Sequence, residues 1–349
     1  MEKSYQKGQF STRIFYGETL NKSIDPITSD NLHVIILTNQ KYYDRSFEKI
    51  SQLFKRARDI DWYICRNQTY CNNLEELMNL LHFLERFPQN RNYLFCGYGN
   101  EGVMQLTGFL AQTTILPSNY WCLPVSVRSL AKVLILEQAI MKQNSQVLLQ
   151  VKNLPRAVYF DQTLTEAQTE GKLVDLLVFI RIGLVCDYDF LQDLHQNFPN
   201  QQLVYRRSFA AFIADLIDYY AESFEIEEFG QLFEAAFYQI ENGHLLSSNM
   251  KRLFGILFHL FWCDANHELH FNFKNFLIWF QQLGYPIHLP TQISLVDYQL
   301  QVLDKAQKEA PIVTLERIGK VGRKTKITVK SLQQAIEKYQ ATLKEIRES

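Results

Sequence analysis

The pattern in this chain with the clearest chemical meaning is a glycine-rich turn, Gly97-Tyr-Gly-Asn-Glu-Gly102. Glycines between a strand and a helix let backbone N–H groups approach a phosphate, whose charge the helix N-terminus favours. The same glycines also serve purely steric needs, and Glu101 inside the turn opposes an anion. Eight histidines supply the candidate metal ligands: His33, His82, His195, His244, His259, His267, His270 and His288. His267 and His270 are three apart, which would put them on one helix face and suits a metal pair. Only Glu268 offers a nearby carboxylate, and Asp264-Ala-Asn before them reads as an interhelical turn. No HExxH, GxSxG or P-loop pattern occurs.

Six cysteines, Cys65, Cys71, Cys96, Cys122, Cys186 and Cys263, form no CxxC pair. Several sit in apolar runs, so buried free thiols in a reducing compartment are expected rather than disulfides or a zinc knot. The net charge of −1 gives no reason to expect nucleic acid as a partner. The one basic cluster, Lys320, Arg323, Lys324 and Lys326, reads as a solvated turn before a strand. Met1-Glu-Lys-Ser-Tyr has no apolar signal core. The longest apolar stretch, Leu253 to Cys263, is too short for a bilayer and holds His259. A cytoplasmic protein with no membrane partner, ordered except at its two ends, is expected.

The elements that must position these residues alternate in the first half. Strand patterns at His33–Leu37, Asp61–Cys65, Asn92–Cys96, Asn119–Leu123 and Arg156–Phe160 are separated by helical spacing, as at Phe47, Ile50, Leu53 and Phe54 and over Leu74–Phe87. This predicts a mostly parallel sheet covered on both faces, with ligands at the C-terminal strand ends. Thr38-Asn39, Gly97 to Gly102 and Pro124 to Ser126 would then share one rim. After residue 160 helical patterns dominate: Leu173–Val185, Asp189–Gln196, Ser208–Ala221, Phe229–Ile240, Leu246–Cys263 and Phe273–Gly284. A short hairpin within Pro311–Val329 and a closing helix over Lys330–Arg347 complete the chain. The expected division is an α/β domain over 1–160 and a mainly helical domain over 161–349. The aromatic-rich helices, from Phe254 to Phe280, are expected in the core, with some residues available to a partner surface.

Arg91 to Ala111, with its strand, glycine turn and Gly108-Phe109, resembles the central motif of 3-dehydroquinate synthases. Trp121-Cys-Leu-Pro-Val-Ser126, Leu154 to Asp161, Arg181-Ile-Gly with Asp187, Asp304-Lys305 and Ile318-Gly319 are similar to later family segments, in the same order. The resemblance implies a Rossmann-like N-terminal domain and a helical C-terminal metal- and substrate-type domain. It implies a cleft between them, with a small anionic ligand as its expected occupant, and a homodimer. It also implies NAD and a divalent metal, usually zinc, cyclising a phosphorylated seven-carbon keto sugar acid with loss of phosphate, a lyase of the shikimate pathway.

The residues at the family's site positions depart from this. The metal ligands correspond to Val178, Ala235 and Ser248, with His244 as the alternative for the third under a four-residue shift; the family lysine corresponds to Arg181 and an earlier histidine to Gln231. Substrate positions become Gln105, Lys132, Leu136, Glu137, Gln138 and Lys142, while Asp304 and Lys305 remain beside Ala306. Of the cofactor positions, Thr38, Asn39, Gly99 and Ser126 match. Gln68, Thr69 and Asn72 replace a Gly-Glu and a lysine, and Asn100 and Glu101 replace two turn glycines. The expectation is a pseudoenzyme with no tight zinc and weak or no NAD, in a binding, scaffold or regulatory role. One alternative is altered, metal-independent chemistry in an anion pocket of Arg181, Lys132, Lys142 and Lys305. Another is an active synthase or related sugar-phosphate cyclase, with His244, His259, His267 and His270 clustering around a carboxylate.

Overall fold

A computed structural model describes residues 1–17, 32–142, 146–161, 163–164 and 169–348. The chain forms two compact units, Met1–Ala167 with Tyr220–Glu222, and Gln168–Tyr219 with Ser223–Ser349. The expected fold class is observed: a parallel α/β sheet first, helices after.

The first unit opens on an antiparallel hairpin, β1 (Glu2–Lys7) and β2 (Phe10–Tyr16), turned by Gly8 at φ 59°. There follow β3 (Leu32–Asn39), α1 (Gln40–Leu53), β4 (Asp59–Cys65), α2 (Leu74–Leu84), β5 (Asn92–Gly99), α3 (Glu101–Thr113), β6 (Ser118–Pro124) and α4 (Val127–Val133). A second hairpin, β7 (Glu137–Lys142) and β8 (Gln146–Lys152), precedes β9 (Ala157–Phe160). The seven-stranded sheet has the order β1-β2-β9-β6-β5-β3-β4, parallel except for β1. Val34, Ile36, Leu94, Cys96, Leu123 and Tyr159 form one buried face with Ile50 and Phe54. Helix α3 is buried at every residue from Glu101 to Leu110, and its approach needs Gly97. A Cβ there would stand 2.7 Å from Thr107 Oγ1.

Two expectations need correction here. The N-terminus is not disordered, since β2 pairs with β9 across more than 140 residues, Arg13 opposite Ala157. The positions that resemble substrate positions over 132–142 lie in or beside regular elements rather than in an open loop. Lys132 lies on α4, Glu137, Gln138 and Lys142 lie on β7, and Leu136 is buried just before it.

The helices that follow are α5 (Thr169–Val185), α6 (Tyr188–Asn197), α7 (Gln201–Arg206), α8 (Ile213–Glu222), α9 (Glu225–Glu228), α10 (Gln231–Ala236), α11 (Ser248–Asn266), α12 (Phe273–Gln282), α13 (Leu295–Lys308) and α14 (Val329–Arg347), all in the second unit but for the last three residues of α8. Strands β10 (Leu315–Arg317) and β11 (Lys320–Val321) form the expected hairpin. The helix expected over Phe229–Ile240 is confined to α10, started by Gly230 at φ 92°. Helix α11 is the centre of this unit, buried from Lys251 to Cys263. Its Gly255 lets α10 approach, because a Cβ there would lie 2.8 Å from the Gly230 carbonyl oxygen and the Glu234 nitrogen. Among the described residues no helix is long and apolar enough to cross a membrane.

Candidate functional site

The parallel register aligns the strand ends on one rim: Asn39 opposite Cys65, Thr38 opposite Tyr98, and Gly99 opposite Pro124. This rim lies at the N-terminus of α3, where orphan amides would make an anion cradle. Here the protein's own groups take those amides. Asn100 caps α3, its Oδ1 accepting from Val103 N at 3.2 Å, and its carbonyl accepts from Met104 N at 3.1 Å. The amide of Asn100 donates to Asn39 Oδ1 at 3.3 Å, and Gly102 N donates to the Thr69 carbonyl at 3.1 Å. The segment after β4 therefore lies directly on the helix start. Asn100 Nδ2 holds it through the Gln68 carbonyl at 2.8 Å, and Asn39 Nδ2 through the Arg66 carbonyl at 2.8 Å. A Cβ at Gly102 would stand 2.7 Å from Cys71 N and the Thr69 oxygen, so glycine is required by this overlay.

The four residues matching cofactor positions all lie on this rim. Thr38 and Asn39 are fully buried, Gly99 is buried, and Ser126 caps α4 in a reciprocal box with Ser129. Glu101 is the first residue of α3 rather than part of a loop, and it is buried. Gln105 does not face an open site. Its Oε1 accepts from Ala139 N at 2.9 Å and its Nε2 donates to Gln138 Oε1 at 3.2 Å, fixing β7 to α3. Asn72 does the same from the α2 side, donating to the Ala139 carbonyl at 2.7 Å.

In the second unit Val178 is buried on α5, Ala235 sits on α10 and Ser248 is the first residue of α11. A methyl and an isopropyl group donate nothing to zinc, and a serine hydroxyl alone makes no site. Three residues beyond Ala235 and Ser248, Tyr238 and Lys251 meet, the ammonium 4.0 Å from the ring centroid. Burial lowers the Lys251 pKa, with Glu234 opposing the shift. Beside them Arg252 Nε lies 3.9 Å from Glu234 Oε2. Arg181 is paired with Glu227, both largely shielded from water. Lys305 is buried near Glu309, whose carboxyl pKa is raised by burial and drawn back by that lysine. Asp304 is held by Lys308 at 2.6 Å.

The histidines do not gather. His244 is exposed in a 3-10 turn at Gly243–Leu245. His267 and His270 cannot share a helical face, because α11 ends at Asn266 and both lie exposed in the link to α12, His270 at φ 22°. His259 is wholly buried on α11. Its Nδ1 accepts from Gly230 N at 2.7 Å, and its Nε2 donates to the Val313 carbonyl at 2.7 Å. Since an amide only donates and a carbonyl only accepts, the ring is neutral with its proton on Nε2. Phe229 stacks on it at 4.2 Å, and burial lowers its pKa to about 4. Among the described residues no three His, Cys, Asp or Glu side chains are placed to hold a metal ion. All six cysteines are free, and burial raises the pKa of Cys96, Cys122 and Cys263. Sequence reasoning missed the roles of His259, Lys251 and Glu234. Only their place inside an apolar helical stretch could have suggested burial.

A Rossmann-like parallel sheet followed by a helical unit recurs in solved structures of other proteins. No protein-family profile matches the chain. A 3-dehydroquinate synthase of Alkaliphilus oremlandii (strain OhILAs) is 23% identical over 207 residues, 56% of this chain and 55% of that protein, so the match spans about half of the relative's length. A 2-deoxy-scyllo-inosose synthase, solved with carbaglucose-6-phosphate, NAD+ and Co2+, superposes with a TM-score of 0.74 at 14% identity, covering 97% of this chain and 99% of that one. A 2-epi-5-epi-valiolone synthase from Streptomyces hygroscopicus subsp. jinggangensis, solved with NAD+ and Zn2+, gives 0.74 at 11% identity over 96% and 98%. Glycerol dehydrogenase from Schizosaccharomyces pombe gives 0.68 at 14% over 100% and 94%. The chain shares the fold of these solved structures.

Proposed function

We propose that this protein is a pseudoenzyme of the 3-dehydroquinate synthase-like family, acting by binding, as a regulatory or scaffold protein, rather than by metal-assisted cyclisation. The observation that carries the reading is the set of groups where the resemblance expects metal ligands. Val178 and Ala235 offer no donor, and the Lys251 ammonium lies over Tyr238, three residues beyond Ser248 and Ala235 respectively. A cation there disfavours a divalent metal rather than recruiting one. The donor set does not fit zinc, so no step is routed through it. The nucleotide side supports the same reading. Amides able to hold a pyrophosphate are engaged by Asn39, Asn100 and Thr69, so NAD would have to displace bonds already made.

A sugar-phosphate cyclase with a rearranged site is the second reading, favoured by what the named relatives do. It needs free cations for an anionic substrate, and Arg181 is paired with Glu227. The deciding assay is phosphate release from the phosphorylated seven-carbon keto sugar acid, with NAD and either Zn2+ or Co2+ supplied. The proposal expects no release above the protein-free blank. Turnover abolished by Arg181→Met would establish the second reading instead.

A further inference from the structure

We propose that Cys65 and Cys71 are a redox pair, oxidised to a disulfide by a hydroperoxide, and that this bond locks residues 66–70 over the start of α3. The inference concerns that segment alone and holds whether or not the protein catalyses. The two cysteines bracket the segment that engages the α3 amides. Its Thr69 carbonyl accepts from Gly102 N, and its Arg66 and Gln68 carbonyls accept from Asn39 and Asn100. At one end Cys65 closes β4 opposite Asn39. At the other, Cys71 Sγ lies 3.9 Å from both Asn39 Nδ2 and Asn100 Oδ1. The asparagines that hold the segment therefore hold Cys71 as well. The two thiols meet: Cys65 is hydrogen-bonded to Cys71, and that bond, together with burial, raises the Cys65 pKa.

This contact divides the roles. Cys65 keeps its proton, while the Cys71 sulfur accepts hydrogen bonds from Asn39 Nδ2 and Cys65. Cys71 is thus the attacking sulfur and Cys65 the resolving one. Attack of Cys71 on the O–O bond gives a sulfenic acid and releases an alcohol, or water where the oxidant is hydrogen peroxide. The Cys65 sulfur then displaces the sulfenic hydroxyl, which leaves as water, and the S–S bond forms. The two thiol protons end on the two departing oxygens, and the two electrons reduce the peroxide.

Both sulfurs are buried, so the oxidant enters when the segment lifts. Arg66, Asn67 and Gln68 are exposed and belong to no helix or strand, and segments of this kind open locally at low free energy. The return of the segment brings Cys71 back onto Cys65. Cys96 and Cys122, on adjacent strands, cannot pair in this way. Cys96 is aligned with Trp121, so the two thiols project to opposite faces of the sheet. Once closed, the ring of residues 65–71 removes the freedom of the segment to lift. Oxidation keeps the α3 amides covered, and reduction allows them to be uncovered.

The test treats the full chain with hydrogen peroxide, alkylates it and digests it without reductant. Trypsin cuts after Arg66, inside the ring, so the disulfide appears as residues 59–66 joined to residues 67–86. Reductant should separate the two peptides. Hydrogen exchange at residues 66–71 and at the Gly102 and Val103 amides should slow at least about tenfold on oxidation and recover on reduction. Cys71→Ser should give neither the joined peptides nor the slowing. Cys186, the one cysteine that is not buried, gauges the oxidant dose. Cys65 and Cys71 still open to alkylation after denaturation, at a dose that oxidises Cys186, would overturn the proposal. So would a disulfide that leaves exchange in the segment unchanged.

Discussion

Two regions of the molecule, the start of α3 and the α10–α11 pair, are filled in different ways. At the α3 N-terminus the protein's own polar groups occupy the backbone framework: Asn100, Asn39 and the segment after β4 satisfy the amides. Around α10 and α11 the side chains fill the space themselves, with Ala235, a Tyr238–Lys251 contact and a Glu234–Arg252 pair. The first region could accept an anion with few changes, because a helix N-terminus needs only free amides. The second could not hold a metal without several new donors at fixed geometry.

The largest effect should come from the second region. His259→Ala removes both ring bonds and the Phe229 stack, and should cost about 3–5 kcal/mol in denaturant unfolding. The same ring sets a pH dependence. Its folded pKa, about 4, lies below the unfolded value of about 6.5, so the unfolded chain binds the proton first. Stability from this group is complete above pH 6.5 and is lost as pH falls toward 4, by about 3 kcal/mol. In His259→Gln that segment of the stability-versus-pH curve should flatten; a curve identical to wild type would show that the imidazole is not buried neutral.

Gly102→Ala should come next. Its Cβ would collide with backbone of the overlying segment, and overpacking of this kind costs about 1–3 kcal/mol. Hydrogen exchange should then quicken at residues 66–73 and at the start of α3 before it changes elsewhere. The smallest stability effect belongs to Asn100→Gly, a few tenths of a kcal/mol as cap substitutions go. It sharpens the comparison most, because it frees the Val103 amide and releases Gln68. NAD affinity should rise in this variant, read by calorimetry; an unchanged affinity would mean the filled amides are not what limits the nucleotide.

The sheet was legible because β3, β5 and β6 are short runs of apolar and aromatic residues, buried on both faces and bounded by turn signals. Strands β1 and β2 were not, since charged and polar residues alternate in them and their order comes from pairing with β9, far along the chain. Strand β8 escaped notice for a related reason: Gln146 to Lys152 has no buried face to give it a period of two. That Val178 and Ala235 offer no metal donor could be read from sequence because it concerns residue type alone. How His259 is held could not, because its partners, Gly230 and Val313, contribute backbone atoms that no side-chain pattern announces.

The most direct test of the central claim is the metal and nucleotide content of the purified protein, by elemental analysis after zinc loading and by calorimetric titration with NAD. The account predicts substoichiometric zinc, removed by a brief wash with chelator, and no saturable NAD binding below about a millimolar, weaker than about −4 kcal/mol. One zinc per chain, held through the wash, together with micromolar NAD affinity would contradict it.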